Sequence, residues 1–273
     1  MSPNFIIGFI LSFIVAGLAY RKKSLTLSGM ISAILLGTIV YGYGHWIFYV
    51  FMMFFFMSSL VIRKIVTVLY PSAHKTLTTH QRKHEARTWV QVLANGGLLG
   101  LISFYYSIAP SNLVVFVAAL SMAASTSDTW ASEIGILSNQ KPKSLIRRQE
   151  METGLSGGVT QLGLWASLGG SALISFIFGI FLLFTKGFNP EYLLATLLCL
   201  IGGFSGSLVD SILGEFFQAK YKTLKSEIIE VSGSSTDALI HGLRWVDNNL
   251  VNFLSNLAVV GSFSFVMLWT QWL

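Results

Sequence analysis

Long apolar runs alternate with short polar stretches along the chain and predict eight membrane-spanning helices. The runs are long enough to cross a bilayer and lack the alternating period of β-barrel strands, so they favour helices. The predicted spans lie near residues 4–20, 25–43, 45–62, 88–108, 112–135, 157–184, 191–214 and 248–272. We therefore expect an all-α polytopic membrane protein.

Composition agrees with this pattern. Of the 273 residues, 53% are hydrophobic and 11% are charged, which is far more apolar than an ordinary soluble domain. The single cysteine, Cys199, excludes an intramolecular disulfide. The net charge of +6 does not indicate nucleic-acid binding, because the basic residues lie in short stretches beside the spans.

The basic residues also predict the orientation of the chain. If the N-terminus is outside, every Lys and Arg except Lys186 faces the cytoplasm, as expected for membrane helices. Both termini then lie outside a bacterial plasma membrane, and the longer loops 63–87, 136–156 and 215–247 are cytoplasmic. These loops are too short for a separate folded domain, so residues 1–273 are expected to form one integral membrane domain.

Two acidic pairs close the fifth and seventh spans. Asp128 is followed five residues later by Glu133, and Asp210 is followed by Glu215. Ionisable groups at membrane depth are costly and usually face a bundle interior or a water-filled cavity, so each aspartate is a functional hypothesis. A structural salt bridge or a helix cap is the alternative.

The residues around both aspartates are small. At positions −7, −4, −3 and +4 from each aspartate, which lie on its helical face, the residues are all Ser, Ala or Gly. This similarity predicts a weak parallel repeat of two hairpins, spans five with six and seven with eight. Small residues also let membrane helices pack closely without any further function.

Glycine and serine clusters follow both acidic pairs. TGLSGGVT at 153–160 contains Ser156, Gly157 and Gly158, and SGSSTDA at 232–238 precedes the eighth span. Backbone N–H groups in such clusters can hold phosphate oxygens, although an ordinary turn fits equally well. Carboxylates hold Mg²⁺, and the ion then binds the phosphates. The pattern predicts a Mg²⁺ and polyphosphate site.

Further polar residues beside the spans are candidates for the same site. Asp247 and Asn248 open the eighth span, where Asp247 is a metal ligand or an N-cap. Asn95 lies inside the fourth span, where an interhelical hydrogen bond is the alternative. Three loop arginines either bind phosphate or only set the topology: Arg87, Arg147 and Arg148.

Five ordered motifs carry a resemblance to a known family. They are EARTWVQVLANGG at 85–97, SDTWASEIG at 127–135, TGLSGGVTQLG at 153–163, GSLVDSILGEFFQ at 206–218 and VDNNLVNFLSN at 246–256. Over nearly its whole length the chain resembles the transmembrane protein 19-like family, domain of unknown function 92. That family includes the plastid phytyl-phosphate kinase, which phosphorylates an isoprenoid monophosphate to the diphosphate.

The resemblance implies a nucleotide-dependent prenyl-phosphate kinase. Phytol and dolichol kinases use CTP, so the implied partners are CTP and a lipid-like prenyl phosphate, with Mg²⁺ as cofactor. The catalytic roles implied fall on Asp128, Glu133 and Asp210, and the metal ligands on Asp128, Asp210 and Asp247. Related sequences often carry Ala where this chain has Glu215, so the resemblance gives Glu215 no role.

Two other functions fit parts of the same pattern. A transporter or lipid carrier would use the buried carboxylates as an ion or proton site. It explains the carboxylates, but explains less readily why they crowd beside glycine-rich loops. A membrane scaffold without chemistry would leave the carboxylates unexplained.

Overall fold

The computed structural model describes residues 3–71, 86–224, 226–232 and 234–270. Within these ranges the chain forms eight helices that correspond one to one with the predicted spans. They are α1 (Pro3–Arg21), α2 (Leu27–Tyr43), α3 (Trp46–Leu69), α4 (Trp89–Ile108), α5 (Asn112–Gly135), α6 (Gln161–Lys186), α7 (Pro190–Phe217) and α8 (Asn248–Thr270). The prediction of an all-α polytopic architecture is confirmed.

Six of these helices are long and apolar enough to cross a membrane, namely α1, α3, α5, α6, α7 and α8. Helix α2 is apolar but has only 17 residues. Helix α4 has 20 residues and includes the polar Gln91 and Asn95. Helices α2 and α4 pack against each other, so the two helices that do not meet this length and hydropathy criterion share an interface.

The boundaries differ from the prediction by three residues or more in three places. Helix α7 continues to Phe217, so Glu215 belongs to a helix and not to the predicted loop 215–247. Helix α3 continues to Leu69, so Arg63 belongs to a helix and not to the predicted loop 63–87. Helix α6 begins at Gln161, where Thr160 caps it by accepting from Gly163 N, so 157–160 belong to the preceding connection. Residues 72–85 of the predicted loop and the end of the eighth span, 271–272, lie outside the described residues.

Two connections contain short strands that the sequence did not predict. Between α5 and α6, β1 (Lys143–Ser144) pairs antiparallel with β2 (Gly158–Val159). Between α7 and α8, β3 (Lys220–Lys222) pairs antiparallel with β4 (Ile228–Ile229) and with β5 (Ala238–His241). Strands of two to four residues carry too little periodic pattern to be recognised in polar loops.

Helix α5 lies at the centre of the bundle and contacts α3, α4, α6, α7 and α8. Its first half is apolar, and Phe116, Leu120 and Met122 are fully buried there. Its second half is made of small residues that fit against other helices. A Cβ added at Gly206 of α7 would lie 2.7 Å from the Cβ of Ala124. The two backbones therefore approach as closely as small residues permit.

The long connections gather at one end of the bundle. Near α2 and α4, Thr26 N donates to the Arg87 carbonyl at 3.0 Å, and Arg87 N donates to the Ser24 carbonyl at 2.9 Å. Between α5 and α6, the Thr160 hydroxyl donates to the Gly135 carbonyl at 3.2 Å. These contacts hold the start of α4, the end of α5 and the start of α6 at that end of the bundle, where the candidate site lies.

Candidate functional site

A polar cavity opens at this end of the bundle between α3, α4, α5, α6, α7 and α8. Its volume of about 150 Å³ has room for on the order of ten water molecules, so it can hold groups as large as phosphates. Nine of the predicted site residues line it: Arg87, Asn95, Asp128, Glu133, Ser156, Gly157, Gly158, Asp210 and Asn248. The fold thus brings together residues that are up to 161 positions apart (248 minus 87).

Asp210 on α7 is buried and is held by residues of α8. The Ser255 hydroxyl donates to its Oδ2 at 3.1 Å. With the amide nitrogen of Asn252 placed toward its two acceptors, it donates to the same Oδ2 at 3.1 Å and to the Asn248 carbonyl at 2.7 Å. Both donors are neutral, so they orient the carboxylate without cancelling its charge.

Asp128 on α5 lines the cavity beside a ladder of serine hydroxyls. Ser127 and Ser167 are hydrogen-bonded at 2.7 Å, and Ser167 and Ser207 at 2.5 Å. This ladder ties α5 to α6 and α6 to α7. Gly170 of α6 packs against the same region, where an added Cβ would lie 2.8 Å from the Thr126 carbonyl oxygen. The three helices are thereby fixed around Asp128.

Glu133 and Arg87 place opposite charges on the wall nearest α4. Glu133 is 6% exposed, and its Oε2 has no hydrogen-bond partner in the described part of the chain. Burial lowers the pKa of Arg87 to about 10; Glu133 opposes this shift and Arg63 adds to it. The Arg87 guanidinium therefore remains charged at neutral pH. Arg63, from α3, lines the same cavity.

Asn95 lies on α4, one helical turn after Gln91. Its Nδ2 donates to the Gln91 carbonyl at 3.0 Å, and its backbone carbonyl accepts from the Ser125 hydroxyl at 2.9 Å. Ser125 in turn accepts from Asn256 of α8 at 2.9 Å. The Asn95 region therefore joins α4, α5 and α8 in addition to lining the cavity.

Ser156 does not present a free backbone N–H to the cavity, as the predicted phosphate cradle requires. Ser156 N donates to Glu230 Oε1 at 2.5 Å, and its hydroxyl donates to Oε2 at 3.1 Å. Lys220 Nζ donates to the Ser156 carbonyl at 3.0 Å. Burial lowers the pKa of Lys220, and the nearby Glu230 and Glu215 oppose that shift. A protein carboxylate occupies the position predicted for a phosphate.

Gly157 is required by packing. Its φ of +94° lies in the region that favours glycine. A Cβ there would lie 2.6 Å from the Cβ and 2.7 Å from the Cα of Glu215. The cluster at 153–160 is thus a turn built against α7, which also exposes Gly157 and Gly158 to the cavity.

Glu215 faces the connections and not the cavity. The Ser144 hydroxyl donates to its Oε2 at 2.6 Å, and Arg147 Nε lies 3.4 Å from its Oε1. His241 Nε2 lies 2.7 Å from the Glu215 carbonyl oxygen. Arg147 is thus paired with Glu215 outside the cavity, and Arg148 is exposed there as well. Neither arginine is placed to meet a ligand in the cavity.

Asp247 is exposed and lies outside the cavity lining. Its Oδ1 accepts from Leu250 N at 2.9 Å, and its Oδ2 accepts from Asn249 Nδ2 at 2.9 Å. Both oxygens serve the start of α8. Of the two predicted roles, metal ligand and N-cap, the structure supports the N-cap.

Comparison with known proteins identifies the family. The model of integral membrane protein DUF92 matches residues 10–260. The chain belongs to this family. Protein PGR of Arabidopsis thaliana is 31% identical over 277 aligned residues, which cover 94% of each chain. An uncharacterized membrane protein of Methanocaldococcus jannaschii is 28% identical over 208 residues, 76% of this chain and 80% of that one. No solved structure matches.

Membership confirms the family predicted from the motifs and the class of integral membrane protein. The matched region, 10–260, contains all the residues that line the polar cavity. The site is therefore part of the DUF92 region itself and does not belong to an added segment.

Several residues of this DUF92 site were not predicted from sequence. Ser255 could have been found, because 248, 252 and 255 recur at helical spacing on one face. Arg63 follows the predicted end of the third span at residue 62, so the sequence indicates only a loop charge at this position. Glu230 and Lys220 gave no local signal, because their partner Ser156 is distant in sequence.

The cavity offers hard oxygen ligands to a metal. Among the described residues no group of three or more His, Cys, Asp and Glu side chains could hold an ion. Mg²⁺ is commonly bound by one or two carboxylates, several waters and substrate phosphates. Asp128 and Asp210 fit such a substrate-linked Mg²⁺ better than a site made of protein ligands alone.

Proposed function

We propose that this DUF92 protein is a Mg²⁺-dependent kinase that transfers a phosphoryl group from a nucleoside triphosphate, preferably CTP, to a prenyl monophosphate. One observation carries the proposal: a single cavity at the membrane boundary contains two aspartates, Asp128 and Asp210, together with the cation Arg87. A phosphoryl transfer needs both kinds of charge, carboxylates for the metal and cations for the phosphates. The preference for CTP rests on the resemblance to the family of the phytyl-phosphate kinase, whose relatives, the phytol and dolichol kinases, use CTP.

The residues take the following roles. Asp128 and Asp210 would hold Mg²⁺, which supplies charge neutralisation of the nucleotide phosphates when bound. Asn252 and Ser255 keep the Asp210 carboxylate turned toward the cavity. Arg87 binds the acceptor phosphate, and Arg63 adds positive charge beside it. The acceptor phosphate is already a nucleophile, so the residues act by positioning and by electrostatics.

Glu133 has a balancing role in this scheme. Its buried carboxylate lies on the same wall as Arg87 and favours the charged guanidinium electrostatically, so it would offset the cost of burying that charge when no ligand is bound. Asn95 and Asn248 provide amide groups on two sides of the cavity. At the glycine turn 157–158 the cavity is lined by backbone atoms and not by side chains.

The proposed reaction takes place at the cytoplasmic face. The cavity lies at the end of the bundle that carries the long connections, and these contain most basic residues. Positive charge favours the cytoplasmic side, where nucleoside triphosphates are found. Both termini then lie outside a bacterial plasma membrane.

A transporter is the second candidate. It is favoured by Glu133 Oε2, which has no hydrogen-bond partner among the described residues and could take a proton or an ion. The other half of the bundle argues against it. The apolar half of α5, which includes the fully buried Phe116, is packed against fully buried aromatic rings of α3 and α6, Phe51 and Phe178. Polar lining is therefore concentrated at one end, as an enzyme requires and a transport path does not.

The test is phosphoryl transfer by purified protein in nanodiscs, with labelled CTP or ATP, Mg²⁺ and a panel of prenyl monophosphates. We expect Mg²⁺-dependent formation of the diphosphate, and a loss of about a hundredfold or more in Asp128→Asn and in Asp210→Asn. The matched control is Asp247→Asn, which changes an aspartate outside the cavity and should keep most of the activity. Wild-type rates in both cavity variants, or ion-driven uptake into liposomes without any transfer, would contradict the proposal.

A further inference from the structure

A second, apolar cavity lies between α1, α2, α3 and α4. Its lining includes Ala16, Ala33, Met52 and Phe56, and its volume is about 60 Å³. Helices α1, α2 and α3 contribute residues from their middle turns and α4 contributes residues from its first two turns, so the cavity extends from the start of α4 to membrane depth. None of the roles proposed above uses it.

The two cavities meet at Arg87 and Gln91, which line both of them. The Arg87 guanidinium carbon lies 5.6 Å from the centre of the Phe55 ring, and Phe55 lines the apolar side. Such a contact holds a cation over an aromatic face. A positive charge therefore stands on the wall that the apolar cavity shares with the polar one.

The apolar cavity runs inward from this junction. Gly96, another lining residue, is about two turns past the first residue of α4, which is roughly 10 Å deeper along the helix. On α1 the lining reaches Ser12, whose hydroxyl is 3.3 Å from that of Tyr49. The apolar lining therefore extends inward from Arg87 along both α1 and α4.

We propose that the apolar cavity binds the single hydrocarbon tail of the acceptor, with its phosphate at Arg87 and its reacting end in the polar cavity. This inference rests on the proposed function and deepens it. An anionic head on one apolar tail matches the cation Arg87 beside an apolar cavity. A bilayer phospholipid has two tails, and a nucleotide has none.

The first test locates the tail without any nucleotide. The probe is geranylgeranyl phosphate with a photoreactive diazirine at the end of its tail, added to the full-length protein in nanodiscs. We expect cross-links in peptides of α1, α2 and α3, competed by unlabelled geranylgeranyl phosphate. Cross-links confined to α6 and α8, or equal competition by phosphatidic acid, would overturn the assignment.

The second test fills the cavity. Ala33→Leu adds three carbon atoms to a lining residue, and Ser32→Leu on the neighbouring position, which does not line the cavity, is the matched control. Displacing about two methylenes of the tail should weaken geranylgeranyl phosphate binding on the order of tenfold. The short-tailed dimethylallyl phosphate should change less than about twofold. Equal effects on both ligands, or the same loss in the control, would contradict the inference.

The binding readout separates this inference from the proposed function. Length-selective binding and cross-links in α1–α3 without phosphoryl transfer would support the tail site and reject the kinase. Phosphoryl transfer with cross-links elsewhere would support the kinase and reject the tail site.

Discussion

A methyl group added at Gly206 is expected to push α7 away from α5 and to separate the two aspartates of the site. In Gly206→Ala the new Cβ would lie 2.7 Å from the Cβ and 3.1 Å from the Cα of Ala124. Carbon atoms in contact prefer about 3.5–4.0 Å, so the helices must separate by about 1 Å. Asp210 and Asp128 lie one turn beyond this contact, on α7 and α5 respectively, and move with it.

The size of the effect follows from overpacking. Insertion of a methyl group into a close-packed contact costs about 1–3 kcal/mol, which for a chain of this size lowers the Tm by roughly 2–12 °C. A displacement of about 1 Å at a reacting group can reduce the rate about a hundredfold. We therefore expect a large loss in the rate of phosphoryl transfer together with a moderate decrease in the Tm.

The measurement is thermal unfolding in detergent together with the initial rate of phosphoryl transfer at saturating substrates. The matched control is Gly261→Ala on α8, where an added Cβ would meet nothing within 4 Å. We expect the control to keep both the Tm and the rate. If Gly206→Ala behaves like Gly261→Ala, the contact does not set the distance between the aspartates, and our reasoning about the site is wrong.

Three further predictions concern single residues. Asp247→Ala should lower the free energy of unfolding by about 1 kcal/mol through loss of the N-cap. The Mg²⁺ affinity, measured by calorimetry with a nucleotide, should not change. Weaker Mg²⁺ binding would instead support Asp247 as a metal ligand. Glu230→Gln should increase hydrogen exchange at Ser156, because a charged acceptor is replaced by a weaker neutral one, and unchanged exchange would refute the contact. Burial lowers the pKa of Lys220 from 10.5, so the unfolded chain binds the proton more tightly than the folded chain does. The free energy of unfolding should therefore rise as the pH increases toward about 10.5. Lys220→Met should flatten that rise in urea titrations, and an unchanged slope would assign the rise to other groups.

The helices could be predicted from the sequence because apolar runs of sufficient length have few other solutions in a membrane. Their ends could not be placed as well. Helix α3 continues through Arg63 and Lys64 to Leu69, because a charged residue near a membrane boundary ends the apolar run without ending the helix. The prediction of a loop from charge therefore missed a cavity residue, Arg63.

The members of the candidate site could be predicted where one helix carries the signal. Asp128, Asp210 and Asn248 each stand out from the residues of their own span and line one cavity. The loop residues could not be assigned in this way. Whether the N–H of Ser156 is free depends on Glu230, 74 positions further on, and no local pattern connects them. The parallel hairpin repeat stays a prediction.

The two acidic pairs show why equal spacing does not give equal roles. Five residues of α-helix turn the chain by roughly 140° beyond a full rotation, so the Asp and the Glu of one pair leave the helix in different directions. Both aspartates point into the cavity, and each glutamate must then face whatever lies beside its helix. Beside α5 that neighbour is α4 with Arg87, and Glu133 stays in the cavity. Beside α7 it is the α5–α6 connection, so Glu215 pairs with Ser144 and Arg147. The neighbours, and not the spacing, separate a site residue from a structural one.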